Sequence, residues 1–439
     1  MDRRKFLKIA AMSGLAVAAP LGVRRALADA EPYEGPYFVL ISASGGWDPV
    51  YLCDPKEQGP LNRLYSAAAA QGNISYAPIG LDPVALGLEE AAAAYLMSNT
   101  DFFTKYASRL LVLNGVDMAT NNHDAGARAT WSGRLPEGFP SFGALVAAAR
   151  APESTFAYVS AGGFDATEGL VPLTRISSVD AVKKIANPNL TDPNSAETDK
   201  FHSDKTMERI RKAQTARLEA QMAAARLPRA KAAMNELFLS RGGEKLLKGL
   251  TLPAEPATLP GYQLGDLQGF MQQSQFAVAA FKAKMAVAAN LNLGGFDTHG
   301  NHDRDHVLQL AKLLAGVDFF MQEAEAAGVA DKLTLVIGSD FARGPGYNGD
   351  NEYAGKDHWS VTSVMMMGKG IQGNRVVGAT DAEQYGALVD PVSLAVGKGK
   401  KLTPESIHLA LRKLAGIDTA EVTARFPLAG EDMPKLLTG

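Results

Sequence analysis

The chain has 439 residues, of which 46% are hydrophobic and 21% are charged, and its formal net charge at pH 7 is −3. This composition is typical of a globular protein and lacks the basic excess of nucleic-acid-binding proteins, so we expect no nucleic-acid partner. The sequence shows no internal repeat or low-complexity tract. Its single cysteine, Cys53, cannot form an internal disulfide, so stability must come from core burial, and Cys53 is expected to be buried.

The first 30 residues have the three parts of an export signal. A basic start at residues 3–5 is followed by an apolar stretch at residues 9–23 and then by small residues. The run RRKFLK at residues 3–8 resembles the twin-arginine motif, and Arg24 and Arg25 fit an ordinary secretory signal poorly. We therefore expect recognition by the twin-arginine translocase and export to the periplasm, with an ordinary secretory signal as the alternative.

The apolar stretch of this signal is too short to be a permanent membrane anchor. A hydrocarbon core of about 30 Å needs about 20 apolar residues, whereas residues 9–23 are fewer and are rich in alanine and glycine. Small residues at positions 26, 28 and 30 fit the cleavage rule for signal peptides. Residues 1–30 are thus predicted to be a signal peptide, and cleavage leaves Asp29 or Glu31 as the first mature residue.

Six short runs rich in aliphatic and β-branched residues predict buried strands. They lie at residues 36–42, 110–115, 156–160, 285–293, 333–337 and 361–367. Helices are predicted between them, for example at residues 86–97 and at residues 307–325, where apolar residues recur at three- and four-residue steps. This alternation predicts an α/β fold with a mainly parallel sheet that is covered by helices on both faces.

Residues 31–439 are long enough for two or three domains, but one large domain with an insertion is equally allowed. Residues 200–248 interrupt the alternation, since they predict long helices with twelve Lys and Arg against five Asp and Glu. We interpret residues 195–260 as an inserted helical cap. Its charge favours a solvated helix surface, with attraction of anionic substrates as the alternative.

Four polar motifs stand at strand boundaries: GGWD at residues 45–48, GGFDTHG at 294–300, SDFAR at 339–343 and GKDH at 355–358. Ligands of parallel sheets bind at the carboxyl ends of the strands, and carboxylate and imidazole groups together suit Zn²⁺, Mn²⁺ or a similar divalent ion. The set predicts a hydrolytic metal site. Individually, Asp48 or Asp297 could instead cap a helix, and Asp340 could pair with Arg343.

Three histidines, His299, His302 and His306, lie within one segment. If a helix begins near residue 301, His302 and His306 fall four residues apart on one face, which is a spacing that can bind a metal ion. We favour instead exposed positions for these two around the helix start. His299, in the loop after a strand, is the one expected to be a ligand.

The four motifs, their order and the export signal resemble those of the exported domain of unknown function 1501 family. The resemblance covers nearly all of residues 31–439, and GGFDTHG is its most specific part. That family is placed in the alkaline phosphatase and sulfatase superfamily. The resemblance therefore implies a three-layer α/β/α sandwich with an alkaline phosphatase-like domain, and a hydrolase-like site of acids and histidines at the strand ends.

The resemblance also implies individual roles. Asp48, Asp297 with His299, Asp340 and His358 match the superfamily's metal ligands, for one or two divalent ions such as Zn, Mn, Mg or Ca. Phe341 departs from the pattern, because the superfamily often has histidine directly after the third acid; a single ion or an altered second site is therefore an alternative.

The position that carries the nucleophile in sulfatases also differs in this sequence. Sulfatase-like enzymes place it at a helix start some ten residues before a Gly-Arg pair, and counting back from residues 133–134 leads to His123. A hydroxyl nucleophile would have to be Thr120, just upstream. His123 could act as ligand, general acid or nucleophile, and Arg343 could assist.

These observations lead to two hypotheses. The first is a periplasmic metal-dependent hydrolase that acts on a small anionic substrate, a phosphate or sulfate ester. The second is an exported binding or assembly protein of the same fold that has lost catalysis. A redox protein is disfavoured, because the sequence carries no nucleotide fingerprint, haem motif or set of iron–sulfur cysteines.

Overall fold

The computed structural model describes residues 32–439 except positions 153, 155, 176–178, 193–198, 228–229, 231–233, 235–249, 251–253 and 255. The signal predicted at residues 1–30 lies outside the described residues, and so do parts of the insertion predicted at residues 195–260. Among the described residues, no helix has both the length and the apolar character needed to cross a membrane.

Twelve strands are found in the described part of the chain. In chain order they are β1 (Tyr37–Ala43), β2 (Ala69–Gln71), β3 (Ile74–Tyr76), β4 (Leu110–Asp117), β5 (Tyr158–Ser160), β6 (Thr174–Arg175), β7 (Ala288–Leu293), β8 (Leu333–Gly338), β9 (Ala342–Arg343), β10 (His358–Trp359), β11 (Val361–Gly368) and β12 (Arg375–Val377). Eight of these form one sheet in the order β12-β4-β11-β8-β1-β7-β5-β6, while β2 pairs with β3 and β9 with β10.

The central sheet is mainly parallel, as predicted. Strand β1 lies between β7 and β8 and is parallel to both, so that Ser42 is in register with Asn292 on one side and Gly338 on the other. Strand β11 is the exception, since it runs antiparallel to β4 and β8. The carboxyl ends of β1, β7 and β8 therefore meet at one edge.

Ten α-helices accompany these strands in the described residues. They are α1 (Glu90–Ala93), α2 (Asn99–Tyr106), α3 (His123–Ser132), α4 (Phe142–Arg150), α5 (Val179–Ala186), α6 (Asp204–Ala224), α7 (Gly265–Lys282), α8 (His302–Ala327), α9 (Pro404–Leu414) and α10 (Glu421–Ala424). Helix α6 agrees with the helices predicted in the insertion.

The helix predicted at residues 86–97 is wrong over most of its length, because only α1 is helical there. Gly87 has a left-handed backbone with φ of 67°, and Glu89 is extended. Both conformations interrupt a helix. The segment is instead a turn-rich loop, and its apolar residues Leu86, Leu88 and Ala92 are buried.

Alternation of side chains along β1 builds two separate cores on the two faces of the sheet. Val39 and Ile41 pack in the core that contains Phe270 of α7 and Phe320 of α8. Phe38 and Leu40 face the other core, which contains residues of α4 and α9. The prediction of a sheet covered on both faces is therefore confirmed, and Cys53 is buried in the first core as expected.

The loops after β1 and β8 are tied together at the carboxyl edge of the sheet. The Ser339 hydroxyl accepts hydrogen bonds from the amides of Gly46 at 3.1 Å and Trp47 at 3.0 Å, and it donates to the Ala43 carbonyl at 2.5 Å. Gly45 has φ of 123°, and a Cβ atom there would lie 2.5 Å from the Asp297 amide nitrogen. Glycine at position 45 thus lets the loop after β7 approach the loop after β1.

A candidate metal centre

Three side chains from three elements converge at this edge of the sheet: His123 at the first position of α3, Asp297 after β7, and His358 at the start of β10. One ligand atom from each lies within 4.8 Å of the others. His123 Nε2 is 3.6 Å from Asp297 Oδ2, and His358 Nε2 is 3.4 Å from Asp297 Oδ1. We refer to these three residues as the HDH cluster.

His299 borders the HDH cluster. Its Nε2 atom lies 3.1 Å from Asp297 Oδ1 and 3.0 Å from His358 Nε2. The His299 side chain is 47% exposed, against 23% for His358, so it stands at the rim of the cluster.

The hydrogen-bond partners of the imidazoles fix their tautomers. His358 Nδ1 lies 2.8 Å from the Asn121 carbonyl oxygen, which can only accept, so the proton is on Nδ1. His299 Nδ1 is likewise 3.0 Å from Asp357 Oδ1. In these tautomers each Nε2 atom is unprotonated and can ligate a cation, and His299 Nε2 also lies 3.4 Å from Arg343 Nη1, which can donate to it.

His123 is held in the same way by a buried carboxylate. Its Nδ1 atom lies 2.5 Å from Asp340 Oδ2. The other oxygen of Asp340 accepts hydrogen bonds from the Gly45 amide at 2.9 Å and the Gly46 amide at 2.7 Å. Asp340, predicted to be a metal ligand, thus orients the His123 imidazole through Nδ1.

These donors fit a small divalent ion. Two ligands that each lie about 2.1 Å from a tetrahedral ion are roughly 3.4 Å apart. The separations of 3.1 and 3.4 Å from Asp297 Oδ1 and of 3.6 Å from Asp297 Oδ2 are close to that spacing. Imidazole Nε2 atoms whose Nδ1–H groups are bound by oxygen acceptors are the usual ligands of such ions. The HDH cluster, with His299 beside it, can therefore hold Zn²⁺, Mn²⁺ or a similar ion.

Arg343 positions Asp297 and does not face the solvent. Its side chain is fully buried; Nη2 donates to Asp297 Oδ1 at 2.6 Å, Nε to the Gly46 carbonyl at 3.0 Å and Nη1 to the Lys356 carbonyl at 3.2 Å. Burial raises the pKa of Asp297, but the charge and hydrogen bond of Arg343 outweigh it and hold this pKa below its usual value. Asp297 is consequently ionised and ready to bind a cation.

Asp48 is not part of the HDH cluster. It is fully buried, and its Oδ2 atom accepts from Lys356 Nζ at 2.7 Å and from His302 Nε2 at 2.9 Å. Oδ1 accepts from the Val50 amide at 2.9 Å and caps the short 3₁₀ helix Pro49–Tyr51. Burial would raise the pKa of Asp48, yet Lys356 and His302 hold it below its usual value. The helix-capping alternative describes this residue better than the role of ligand.

His302 and His306 are fully buried, so the expectation of exposed positions is wrong. Helix α8 does begin at His302, and the two rings stack with their centroids 4.5 Å apart. Both Nδ1 atoms contact the Thr298 hydroxyl, at 2.7 and 2.9 Å. Burial lowers the pKa of both imidazoles, which are therefore neutral. Their spacing of four residues, which places both on one face of α8, was the sequence signal that they share one buried environment.

The predicted helix start at His123 is confirmed, with Asn122 capping α3 through the Ala125 amide at 3.1 Å. Thr120, the alternative nucleophile, accepts a hydrogen bond from the Asn122 amide at 3.2 Å and so belongs to the turn before the helix. The Phe341 ring packs 4.6 Å from the His123 ring, so an apolar side chain stands where the superfamily often has histidine.

A cleft of about 500 Å³ runs along the first turns of α8 beside the cluster, and Asp297 is the cluster member that lines it. Its lining includes Asp297 and His299 together with Gln263, Leu308 and Lys312. A bound molecule in this cleft would contact the half-exposed side chains of both Asp297 and His299.

The family model described as Protein of unknown function (DUF1501) matches residues 37–433. The chain belongs to the DUF1501 family. The resemblance drawn from the strand-end motifs of this DUF1501 chain is thereby confirmed. A search of curated proteins finds no significant match.

Solved structures similar to the DUF1501 chain share little sequence with it. A 2-O GAG sulfatase is 12% identical with a TM-score of 0.33, and the match covers 92% of this chain and 75% of that one. The lipoteichoic acid synthase LtaP from Listeria monocytogenes is 8% identical, with a TM-score of 0.37 and coverages of 93% and 77%. The alkaline phosphatase from the Antarctic bacterium TAB5 is 11% identical, with a TM-score of 0.29 and coverages of 79% and 95%.

Proposed function

We propose that this protein is a metal-dependent hydrolase of phosphate or sulfate esters. The observation that supports it most is the convergence of the His123 and His358 imidazoles on the Asp297 carboxylate, which also lines a cleft. His123, Asp297 and His358 would hold the ion. Such an ion would polarise the ester and lower the pKa of a bound water molecule.

The residues behind the HDH cluster keep its members oriented. Asp340 and the Asn121 carbonyl hold the Nδ1–H groups of His123 and His358, and Arg343 keeps Asp297 ionised. Partners of this kind usually contribute about 10–100-fold to metal affinity.

We assign proton transfer to His299. His299 lines the cleft, and Asp357 Oδ1, 3.0 Å from Nδ1, orients the ring. In this assignment His299 takes a proton from the attacking water or gives one to the leaving oxygen. In this assignment the attack comes from water, because His123 carries no hydroxyl or thiol and Thr120 belongs to the turn before α3, where it accepts from the Asn122 amide.

We further propose that the protein acts in the periplasm after export by the twin-arginine translocase. Its sequence supports this through the basic and apolar segments of residues 1–30. Export of a folded protein would allow the ion to be loaded in the cytoplasm. Fractionation of cells that express the wild type and an Arg3→Lys/Arg4→Lys variant tests this proposal: loss of periplasmic protein in the variant is expected, and equal export of both would contradict it.

A catalytically inactive binding or assembly protein is the second candidate. It is favoured by Phe341, whose ring packs against both His123 and His358 at 4.6 and 4.5 Å and leaves no polar group at that position. On this hypothesis the cluster binds an ion and stabilises a binding surface, without turnover.

Hydrolysis of aryl phosphates and aryl sulfates separates the two candidates. The purified protein is assayed with Zn²⁺, Mn²⁺, Mg²⁺ and Ca²⁺, beside Asp297→Asn and His299→Gln. We expect activity that Asp297→Asn abolishes together with metal binding, and that His299→Gln lowers by about 10²–10⁴-fold with metal still bound. Metal binding without turnover in the wild type would favour the second candidate.

Matched controls come from residues remote from the cluster. Asp331 is an exposed carboxylate that precedes β8, at the opposite edge of the sheet, and His202 is an exposed histidine before α6. Asp331→Asn and His202→Gln should retain wild-type activity and metal affinity. A loss in these controls equal to that of the cluster variants would show that the cluster is not the origin of the activity.

A further inference from the structure

We propose that the Lys356 ammonium is a built-in replacement for a second metal ion, so that the chain takes one divalent ion at the HDH cluster and none at Asp48. The ion at the HDH cluster rests on the proposed function, whereas the exclusion of an ion beside Asp48 does not. It starts from Asp48, whose strand-end motif predicted a metal ligand and whose carboxylate instead lies 2.7 Å from Lys356 Nζ.

The surroundings of the ammonium are those of a cation site. Lys356 is 1% exposed, and besides Asp48 it donates to the Leu61 carbonyl oxygen at 2.6 Å. Its Nζ atom lies 4.7 Å from the ring centroid of Tyr51 and 5.0 Å from that of Tyr347. A carboxylate oxygen, a carbonyl oxygen and two aromatic faces all favour a positive charge at this point.

The two buried histidines and Thr298 form a closed ring of hydrogen bonds that begins and ends at Asp48, while the hydroxyls of Tyr51 and Tyr347 bind Asp303 outside it. The Asp48 amide donates to His306 Nε2 at 2.8 Å, and His306 Nδ1–H donates to the Thr298 hydroxyl at 2.9 Å. That hydroxyl donates to His302 Nδ1 at 2.7 Å, and His302 Nε2–H donates to Asp48 Oδ2 at 2.9 Å. Both imidazoles are neutral in this ring, so Asp48 and Lys356 balance each other's charge.

This balance leaves no place for a divalent ion beside Asp48. An ion there would add two positive charges next to a buried ammonium, and burying uncompensated charge is strongly unfavourable. Removal of the ammonium reverses the situation, because it leaves a buried carboxylate and a carbonyl oxygen around the vacated volume. Lys356→Ala should therefore create a site for a second cation.

The metal content of the full chain tests the proposal, with Mn²⁺ as the probe because it accepts both oxygen and nitrogen ligands. Elemental analysis and titration calorimetry are applied to the wild type, Lys356→Ala, Lys356→Ala/Asp48→Asn and the control Asp331→Asn. We expect one ion for the wild type and control, two for Lys356→Ala and one for the double variant. Propylammonium, which restores the missing charge, should suppress the second ion in Lys356→Ala.

Two ions in the wild type, or the same number of ions in folded Lys356→Ala as in the wild type, would overturn the proposal. A wild type without metal, together with one ion in Lys356→Ala, would refute the HDH metal site but support the replacement of an ion by Lys356 beside Asp48. If Lys356→Ala fails to fold, the wild-type content decides, since two ions contradict the proposal and one supports it.

Discussion

Asp48→Asn should destabilise the protein, because it leaves the Lys356 ammonium buried without its counterion. Asp48 is 0% exposed and Lys356 is 1% exposed. Removal of one partner of a buried ion pair costs about 3–5 kcal/mol. The entropy of unfolding for 439 residues, at about 2.1 cal/mol/K per residue, is roughly 0.9 kcal/mol/K, so the melting temperature should fall by about 3–5 °C.

A double-mutant cycle isolates the pair from other contacts of Asp48. Asp48→Asn, Lys356→Met and the double variant are unfolded by urea, with EDTA present to remove bound ions. Because replacement of a whole buried pair is often nearly neutral, the double variant should recover most of the stability, with a coupling energy of about 2 kcal/mol or more. If the double variant lost as much stability as the two single variants together, the reasoning would be refuted, because Asp48 and Lys356 would then not interact.

Three further predictions concern other parts of the site. Asp340→Asn removes the carboxylate that holds His123 Nδ1, and calorimetry should show Mn²⁺ affinity about 10–100-fold weaker; unchanged affinity would contradict the orienting role. Gly126→Ala directs a methyl group against the Asp340 carbonyl, so the melting temperature measured by circular dichroism should fall, and a wild-type value would contradict that packing. Burial lowers the pKa of His302 and His306, so only the unfolded chain takes up their protons below about pH 6.5. The free energy of unfolding should consequently fall, as pH decreases from about 7 to 5, by up to about 1.4 kcal/mol per histidine and pH unit; a flat pH profile would refute neutral imidazoles.

Much of the fold follows from local patterns in the sequence. Strands buried on both faces are continuous apolar runs whatever their direction, so β1, β4, β8 and the antiparallel β11 were predicted within a few residues. The segment that contains α1 failed, because its apolar spacing suits a helix and a buried loop equally well. Left-handed Gly87 decides between them, and its conformation is not readable from the sequence.

The carboxyl edge of the sheet was predicted as the site, but its division into two parts was not. Parallel strands bring Asp48, Asp297 and Asp340 to the same edge, which the motifs revealed. Their partners depend on contacts between remote segments: Lys356 lies 308 positions after Asp48, and Asp340 lies 217 positions after His123. No spacing rule in the sequence distinguishes a carboxylate that faces a lysine from one that faces a metal ion.

Anomalous diffraction from crystals grown with Mn²⁺ tests the central claim most directly. The account predicts one strong peak at the HDH cluster, at bonding distance from Nε2 of His123 and of His358 and from the Asp297 carboxylate, with no peak beside Asp48. At saturating Mn²⁺, the lack of a peak at the HDH cluster would contradict it.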